Sequence, residues 1–247
     1  MIYTDAHCHI APNIVGGFEI AGRIYNAARK SDWATATEIS DINDGKNFAA
    51  IGIHPWYVSD ALHGWARTFE DIIITHPNMM IGEIGLDKYR PNMQRQIDIF
   101  STQLRIAAEN HRPIHLHCVG AWDRVLHIFR KNSKSMPPVV LAHGFSGNTN
   151  IMKILIEQYN TYFSYSVPRT DGQSLKRIIG TPETRILIES DTFNPHDQAS
   201  KLWNATMAIA EIRGCVPNEL SKQIEKNFNR VLDYVRPTAQ NSSFIGQ

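Results

Sequence analysis

Cysteine is scarce in this chain: Cys8, Cys118 and Cys215 are the only three among 247 residues. An odd, small number in a long chain argues against a disulfide framework and for a reducing compartment. An excess of either charge is also missing. Lys and Arg number 25 against 24 Asp and Glu, a formal net charge of +1. No global field would therefore draw nucleic acid or a membrane to the surface. A polyanionic partner would have to be held locally, by bound cations or a few basic side chains. No apolar run approaches the length of a membrane span. The start, Met1-Ile2-Tyr3-Thr4-Asp5, lacks the basic and then apolar build of a signal peptide. A cytoplasmic protein is expected. No repeat, linker or low-complexity block divides the chain, so residues 1–235 are expected to form one domain, followed by a poorly ordered polar tail at 236–247.

Hydrophobic residues make up 43% of the chain, ordinary for a globular protein with a full core. They fall in short runs that alternate with helical patterns. Candidate strands are Ile2–His7, Arg23–Ala27, Phe48–Ile53, Met79–Glu83, Pro113–His117, Val139–Ala142, Tyr162–Ser164 and Ile186–Glu189. Met93, Ile97, Phe100, Leu104 and Ala107, spaced by three and four, mark the clearest helix. Leu220, Ile224, Phe228 and Val231 mark the last, with Pro217 near its start. Eight strands, most followed by a helix, predict a (β/α)₈ TIM barrel, whose active sites form at the C-terminal strand ends. An open doubly-wound sheet is the competing architecture, and the absence of a glycine-rich phosphate loop after the first strand lowers it. Only about a dozen residues separate His9 from the second strand, too few for a full crossover helix, so the first βα unit is expected to be shortened to a loop.

Ionisable residues recur at the strand ends. The first strand gives His7 and His9, which alternation places on one face together with Asp5, with Cys8 on the other. The third ends GIHPW, giving His54; the fourth runs MMIGEIGLD, giving Glu83 and Asp87. The fifth gives His115 and His117, the sixth His143, and the eighth Glu189 and Asp191. In a barrel these ends converge on one mouth. Imidazoles mixed with carboxylates suit a hard-to-borderline divalent cation such as Zn²⁺, Mn²⁺ or Mg²⁺. Four histidines and two carboxylates exceed what one ion needs. The excess points to two divalent ions bridged by a carboxylate, with Glu83 as the natural bridge because its strand lies between the others. Two ions about 4 Å apart clamp a phosphoryl group and activate a shared water.

Other candidates read more plainly. His115 lies one layer below His117 and is expected to be a hydrogen-bonded core histidine. Glu189, one layer below Asp191, is expected to orient a ligand rather than touch a metal. His63, His76, His111, His127 and His196 lie away from strand ends and read as surface residues. Cys8 and Cys118 read as small buried hydrophobes.

Taken in order, DAHCH, GIHPW, GEIGLD, a strand ending in HC, HGFSG and IESD resemble the TatD-related metal-dependent deoxyribonucleases, within the wider amidohydrolase group of barrel enzymes. The likeness runs from Asp5 to about Phe228. It implies that His7, His9, Glu83 and Asp191 surround one metal, and that Glu83, His117 and His143 surround a second. It also implies that His54 lies beside the substrate phosphate, with the Ser146-Gly147 turn near it. The family typically removes nucleotides from DNA 3′ ends with Mg²⁺ or a similar ion. On that reading a hydroxide held on the metals attacks phosphorus, Asp191 takes or steers the proton, and His54 donates to a phosphate oxygen. Two departures bear on substrate. Where relatives commonly carry an arginine after the strand-five ligand, this chain has Val119; after the last aspartate it reads Thr192-Phe193-Asn194-Pro195. The competing functions are a related barrel hydrolase acting on a small phosphoester, amide or lactone, and a metal-binding protein without activity.

Overall fold

The computed structural model describes residues 1–10 and 20–235. Eight parallel strands lie in strict sequence order: β1 Tyr3–His9, β2 Ile20–Asn26, β3 Asn47–Ile51, β4 Met80–Asp87, β5 Ile114–Val119, β6 Val140–Ala142, β7 Thr161–Tyr165 and β8 Ile186–Ile188. The sheet curls round on itself. His7 O accepts from Asp191 N at 3.0 Å, and His9 N donates to Thr192 O at 3.0 Å, so the segment leaving β8 is stitched to β1. This is the TIM barrel that the alternating pattern predicts. The helices are α1 Trp33–Ile42, α2 Trp65–Thr75, α3 Met93–Glu109, α4 Trp122–Lys131, α5 Thr149–Tyr159, α6 Gly172–Gly180, α7 Pro195–Arg213 and α8 Pro217–Leu232. Among the described residues no helix is long and apolar enough to cross a membrane. The expected loop after β1 and the expected loose tail fall on residues 11–19 and 236–247, outside the described residues.

Alternation along the strands divides their side chains between two apolar clusters. The larger packs Ile51, Ile81, Leu116 and Phe163 against helices, with Phe100 and Leu104 of α3 among its members. The smaller gathers Ala6, Ile24, Ala50, Met80, Leu141 and Leu187 with Phe228 and Val231 of α8. Two residues on from Leu141 and Leu187 come His143 and Glu189, so the face that is apolar below turns polar toward the C-terminal strand ends. That is where barrel enzymes carry their sites.

Three details differ from the sequence pattern. First, β1 runs on to His9 and β4 to Asp87, past the boundaries that apolar runs suggest. Polar residues continue a strand when its neighbours supply the ladder, as β5 does for β4 through Gly85–His117 and Asp87–Val119. Second, α3 buries Gln96 and Gln103 among its apolar residues. Gln103 accepts from Ile53 N at 2.7 Å and donates to Ile53 O, and Gln96 accepts from Asp87 N at 2.9 Å, so the helix holds the exits of β3 and β4. Third, the register of β1 slips between Asp5 and Cys8. Asp5 therefore does not join the two imidazoles. Its carboxylate accepts from Ser190 N (2.9 Å), Ser190 Oγ (2.5 Å), Gln198 Nε2 of α7 (2.7 Å) and His7 N (3.2 Å).

Asp5 is fully buried, and burial pushes its pKa up to about 6 against the pull of those four donors. Truncating it strands Ser190 N, His7 N and the Gln198 amide together. Asp5→Ala is expected to lower unfolding stability by about 3 kcal/mol or more, read by urea denaturation. Asp5→Asn keeps an acceptor for the two backbone donors and is expected to lose less. Equal stability of Asp5→Ala and the natural protein would show that this network does not close the barrel.

Candidate metal centre

Glu83 lies on β4 with 2% of its side chain exposed, and its two oxygens face different partners. Oε2 is 3.5 Å from His7 Nε2 and 4.0 Å from His9 Nε2. Oε1 is 2.7 Å from His143 Nε2, 2.7 Å from His117 Nδ1 and 3.3 Å from His54 Nε2. On the Oε2 side Asp191 completes the group, its Oδ1 lying 3.2 Å from His9 Nε2 and 3.8 Å from His7 Nε2. Seven residues from β1, β4, β5 and the exits of β3, β6 and β8 thus meet; six of them line a pocket of about 310 Å³, and His7 lies buried behind it.

Local backbone makes this approach possible. Gly85 has φ +146, and a Cβ there would run into the carbonyl of His117, so the close pairing of β4 with β5 beside Glu83 requires glycine. Asp191 takes the left-handed conformation at φ 45, uncommon without glycine and costing about 1 kcal/mol. Its N–H bond to His7 O and the Ser190–Asp5 bonds beside it hold it there. Glu189 accepts from Gly144 N at 2.9 Å and from Ser164 Oγ, and lies 3.7 Å from His143 Nδ1. That is the orienting place predicted for it.

The donor set fits divalent cations. Two ligands at about 2.1 Å from a tetrahedral ion stand about 3.4 Å apart. The contacts among His7, His9, Asp191 and Glu83 Oε2 run from 3.2 to 4.0 Å, the edges of such a polyhedron. His117 Nδ1 is 3.2 Å from His143 Nε2, an approach that needs a proton or cation between the two nitrogens. His7 Nε2 and Nδ1, His9 Nδ1 and His117 Nε2 are buried without hydrogen-bond partners among the described residues. Three groups, His7–His9–Asp191, His7–Glu83–His143 and His54–Glu83–His117, each bring three ligand atoms within 4.8 Å of one another.

His54 differs from the rest. Its Nδ1 accepts from Trp56 N at 3.1 Å, so the neutral ring carries its proton on Nε2, which faces Glu83 Oε1 at 3.3 Å on the pocket wall. Burial holds its pKa below the usual imidazole range and keeps it neutral. That makes it a hydrogen-bond donor rather than a lone-pair ligand. Ser146 and Gly147 do not line this pocket: the Ser146 hydroxyl donates to Cys118 O at 3.1 Å. His115 is buried as predicted, but neither ring nitrogen has a partner among the described residues, so it is not the hydrogen-bonded core residue expected. Burial holds it neutral. Cys8 and Cys118 are buried, as predicted. The pattern of strand ends did not reveal the aromatic rim. Phe193 stacks on His9 with centroids 4.2 Å apart, and Trp56 and Tyr57 form another wall of the pocket. Phe193 adjoins the Asp191 loop and Trp56 follows the GIHP turn, so proximity to those motifs was the available signal.

A family model described as TatD related DNase matches residues 4–233. The chain belongs to the TatD-related DNase family. Among curated TatD relatives, the 3′-5′ ssDNA/RNA exonuclease TatD of Erwinia billingiae is 24% identical over 229 residues, covering 86% of this chain and 87% of the relative. The Cut9-interacting protein scn1 of Schizosaccharomyces pombe is also 24% identical, covering 80% and 88%. The crystal structure of the TatD homolog YJJV from Escherichia coli superposes with a TM-score of 0.77 at 18% identity, covering 94% of this chain and 98% of that one. That likeness speaks to the fold.

Charge in this TatD-family cluster is tightly coupled. Burial pushes Glu83 up, but His143, His54 and His7 together hold its pKa well below the usual carboxylate range. Burial pushes His143 down, but Glu83, with Glu189 behind it, holds its pKa well above the usual imidazole value. The His143 imidazolium in metal-free protein therefore adds stability that is fully present below the unfolded pKa of about 6.5 and lost as pH rises through the higher folded value. A cation at His143 Nε2 must displace that proton. Adding Mn²⁺ or Zn²⁺ to metal-free protein at pH 7 is expected to release about one proton per chain or more, read with an indicator dye in weak buffer. His143→Gln should reduce the release by one. Binding with no proton release would contradict this charge state.

Proposed function

We propose that this protein is a divalent-metal-dependent phosphodiesterase that removes nucleotides from the 3′ ends of single-stranded DNA. The observation that carries the proposal is the split of Glu83, one oxygen toward His7 and His9 and the other toward His117 and His143, at the floor of an open pocket. A purely structural ion would need only one closed tetrahedral site. Family membership alone does not give an activity, since scn1 is named for an interaction and TatD for a reaction. The strand-end cluster of imidazoles and carboxylates supports the hydrolytic reading.

On this reading His7, His9, Glu83 and Asp191 hold one cation, and Glu83, His117 and His143 hold the other; Mg²⁺, Mn²⁺ and Zn²⁺ all suit these donors. Bound divalent ions polarise a phosphoryl oxygen and lower the pKa of water. The chain's own residues do the rest. Asp191 is half-exposed at the pocket, where His9, His7 and His143 overcome burial and hold its carboxylate ionised. Its free oxygen is placed to accept the proton of an attacking water. His54 offers Nε2–H to a non-bridging phosphate oxygen as charge builds there.

The direct test is metal-reconstituted protein assayed on 3′-labelled single-stranded DNA, duplex DNA and small phosphoesters side by side. Processive or stepwise loss of 3′ nucleotides from single strands is expected. Turnover of small esters with no cleavage of DNA would replace this reading with that of a small-phosphoester hydrolase.

Val119 supplies a further check. It ends β5 half-buried, opposite Asp87, where an arginine would reach the pocket rim. One charge-assisted contact to phosphate is worth about 1.5–3 kcal/mol. Val119→Arg is expected to lower KM on DNA about tenfold or more with little change in kcat. An unmoved KM would show that no phosphate passes that edge.

A further inference from the structure

Trp56 stands between two concave surfaces. It lines the metal pocket with His54 and Tyr57, and it also lines an adjoining groove of about 800 Å³ with Pro55, Ser59, Arg90 and Asn92. Its indole is fixed in place. Nε1 donates to Asp87 Oδ2 at 2.6 Å, the Arg90 guanidinium sits 3.8 Å over the ring, and the His54 ring meets it edge-on at 5.2 Å. Yet 47% of the residue remains exposed. With Arg90 over the ring and 47% of the residue still in water, part of the indole is left to a ligand rather than to the core.

The turn that follows β4 adds the charge. Lys88 N donates to Val119 O at 2.9 Å, and the aliphatic part of Lys88 lies against Gly120. Lys88 and Arg90 are both exposed, so this turn places cations beside the strand-five exit where Val119 offers none.

Resting on the phosphodiesterase reading above, we propose that the single strand upstream of the reacting phosphate leaves the metal pocket across Trp56 and enters this groove. The base of the first upstream nucleotide stacks on the part of the indole that Arg90 leaves exposed, and Arg90 pairs with the phosphate beyond it. Bases stack on any aromatic face whatever their identity, so the contact selects for unpaired strands without reading sequence. A duplex, whose bases are already stacked on one another, could not use it. Arg90 thus takes up the guanidinium contact that position 119 lacks.

The test measures binding rather than turnover. Fluorescein-labelled thymidylates of one to six nucleotides, those of two or more carrying a phosphorothioate at the 3′-terminal linkage, are titrated with the Mg²⁺-loaded protein and followed by anisotropy. In the natural protein affinity should rise over the second and third nucleotides and then level off. Trp56→Ala should lose about tenfold on the longer oligonucleotides, as loss of one stacking contact does, and flatten the length dependence. Trp56→Phe should restore most of it, because a ring remains though the Asp87 bond is gone. Arg90→Ala should weaken longer oligonucleotides but not the mononucleotide, and should reduce the salt slope by about 0.7. If the natural protein binds and cleaves single strands but Trp56→Ala keeps its full length dependence, the groove assignment is wrong while the phosphodiesterase reading stands. If the natural protein neither binds nor cleaves any oligonucleotide, the phosphodiesterase reading fails and takes the groove with it.

Discussion

A buried carboxylate ringed by imidazoles has few stable arrangements. Glu83 has almost no contact with water, so its charge must be matched from within the protein. A proton shared with His143 matches it in the metal-free state. Each oxygen of Glu83 faces a separate set of ring nitrogens, a donor set that suits divalent cations. The neighbouring residues that position those nitrogens are therefore part of the same constraint.

Much of the rest of the barrel serves it. The segment after β8 is tied to β1 by two backbone hydrogen bonds and by Asp5 through Ser190, which sets Asp191 against His9 although its backbone is in a strained region. Glu189 holds the Gly144 turn beside His143. Buried glutamines on α3 hold the exits that carry His54 and Asp87. Asp87 in turn fixes Trp56, so the rim is braced by the same strand that carries Glu83. Support of this kind fixes the rotamers of the side chains that meet at the site.

The eight strands and the convergence of histidines and carboxylates at their exits were legible because both rest on strong local signals. Strand exits in a barrel share one mouth, so polar residues ending apolar runs identify each other without any knowledge of contacts. Other features depended on tertiary partners. Alternation put Asp5 with His7 and His9, but a register slip within β1 sent it toward α7, and only the pairing with β2 reveals the slip. Ser146 follows a ligand closely in sequence, yet its hydroxyl is taken by the Cys118 carbonyl. The expectation of a hydrogen bond for His115 came from the general rule for buried polar groups, and the packing around it supplies no hydrogen-bond partner among the described residues. The aromatic rim has no period at all, since Trp56 and Tyr57 follow β3 and Phe193 follows β8.

The central claim is that Glu83 joins two cation positions. Electron paramagnetic resonance of metal-free protein titrated with Mn²⁺ tests it most directly, because two ions bridged by one carboxylate are exchange-coupled and isolated ions are not. The account predicts two Mn²⁺ per chain with a coupled spectrum, and conversion to uncoupled signals in Glu83→Gln. One Mn²⁺ per chain at saturation, or two with a coupled spectrum that persists in Glu83→Gln, would contradict it.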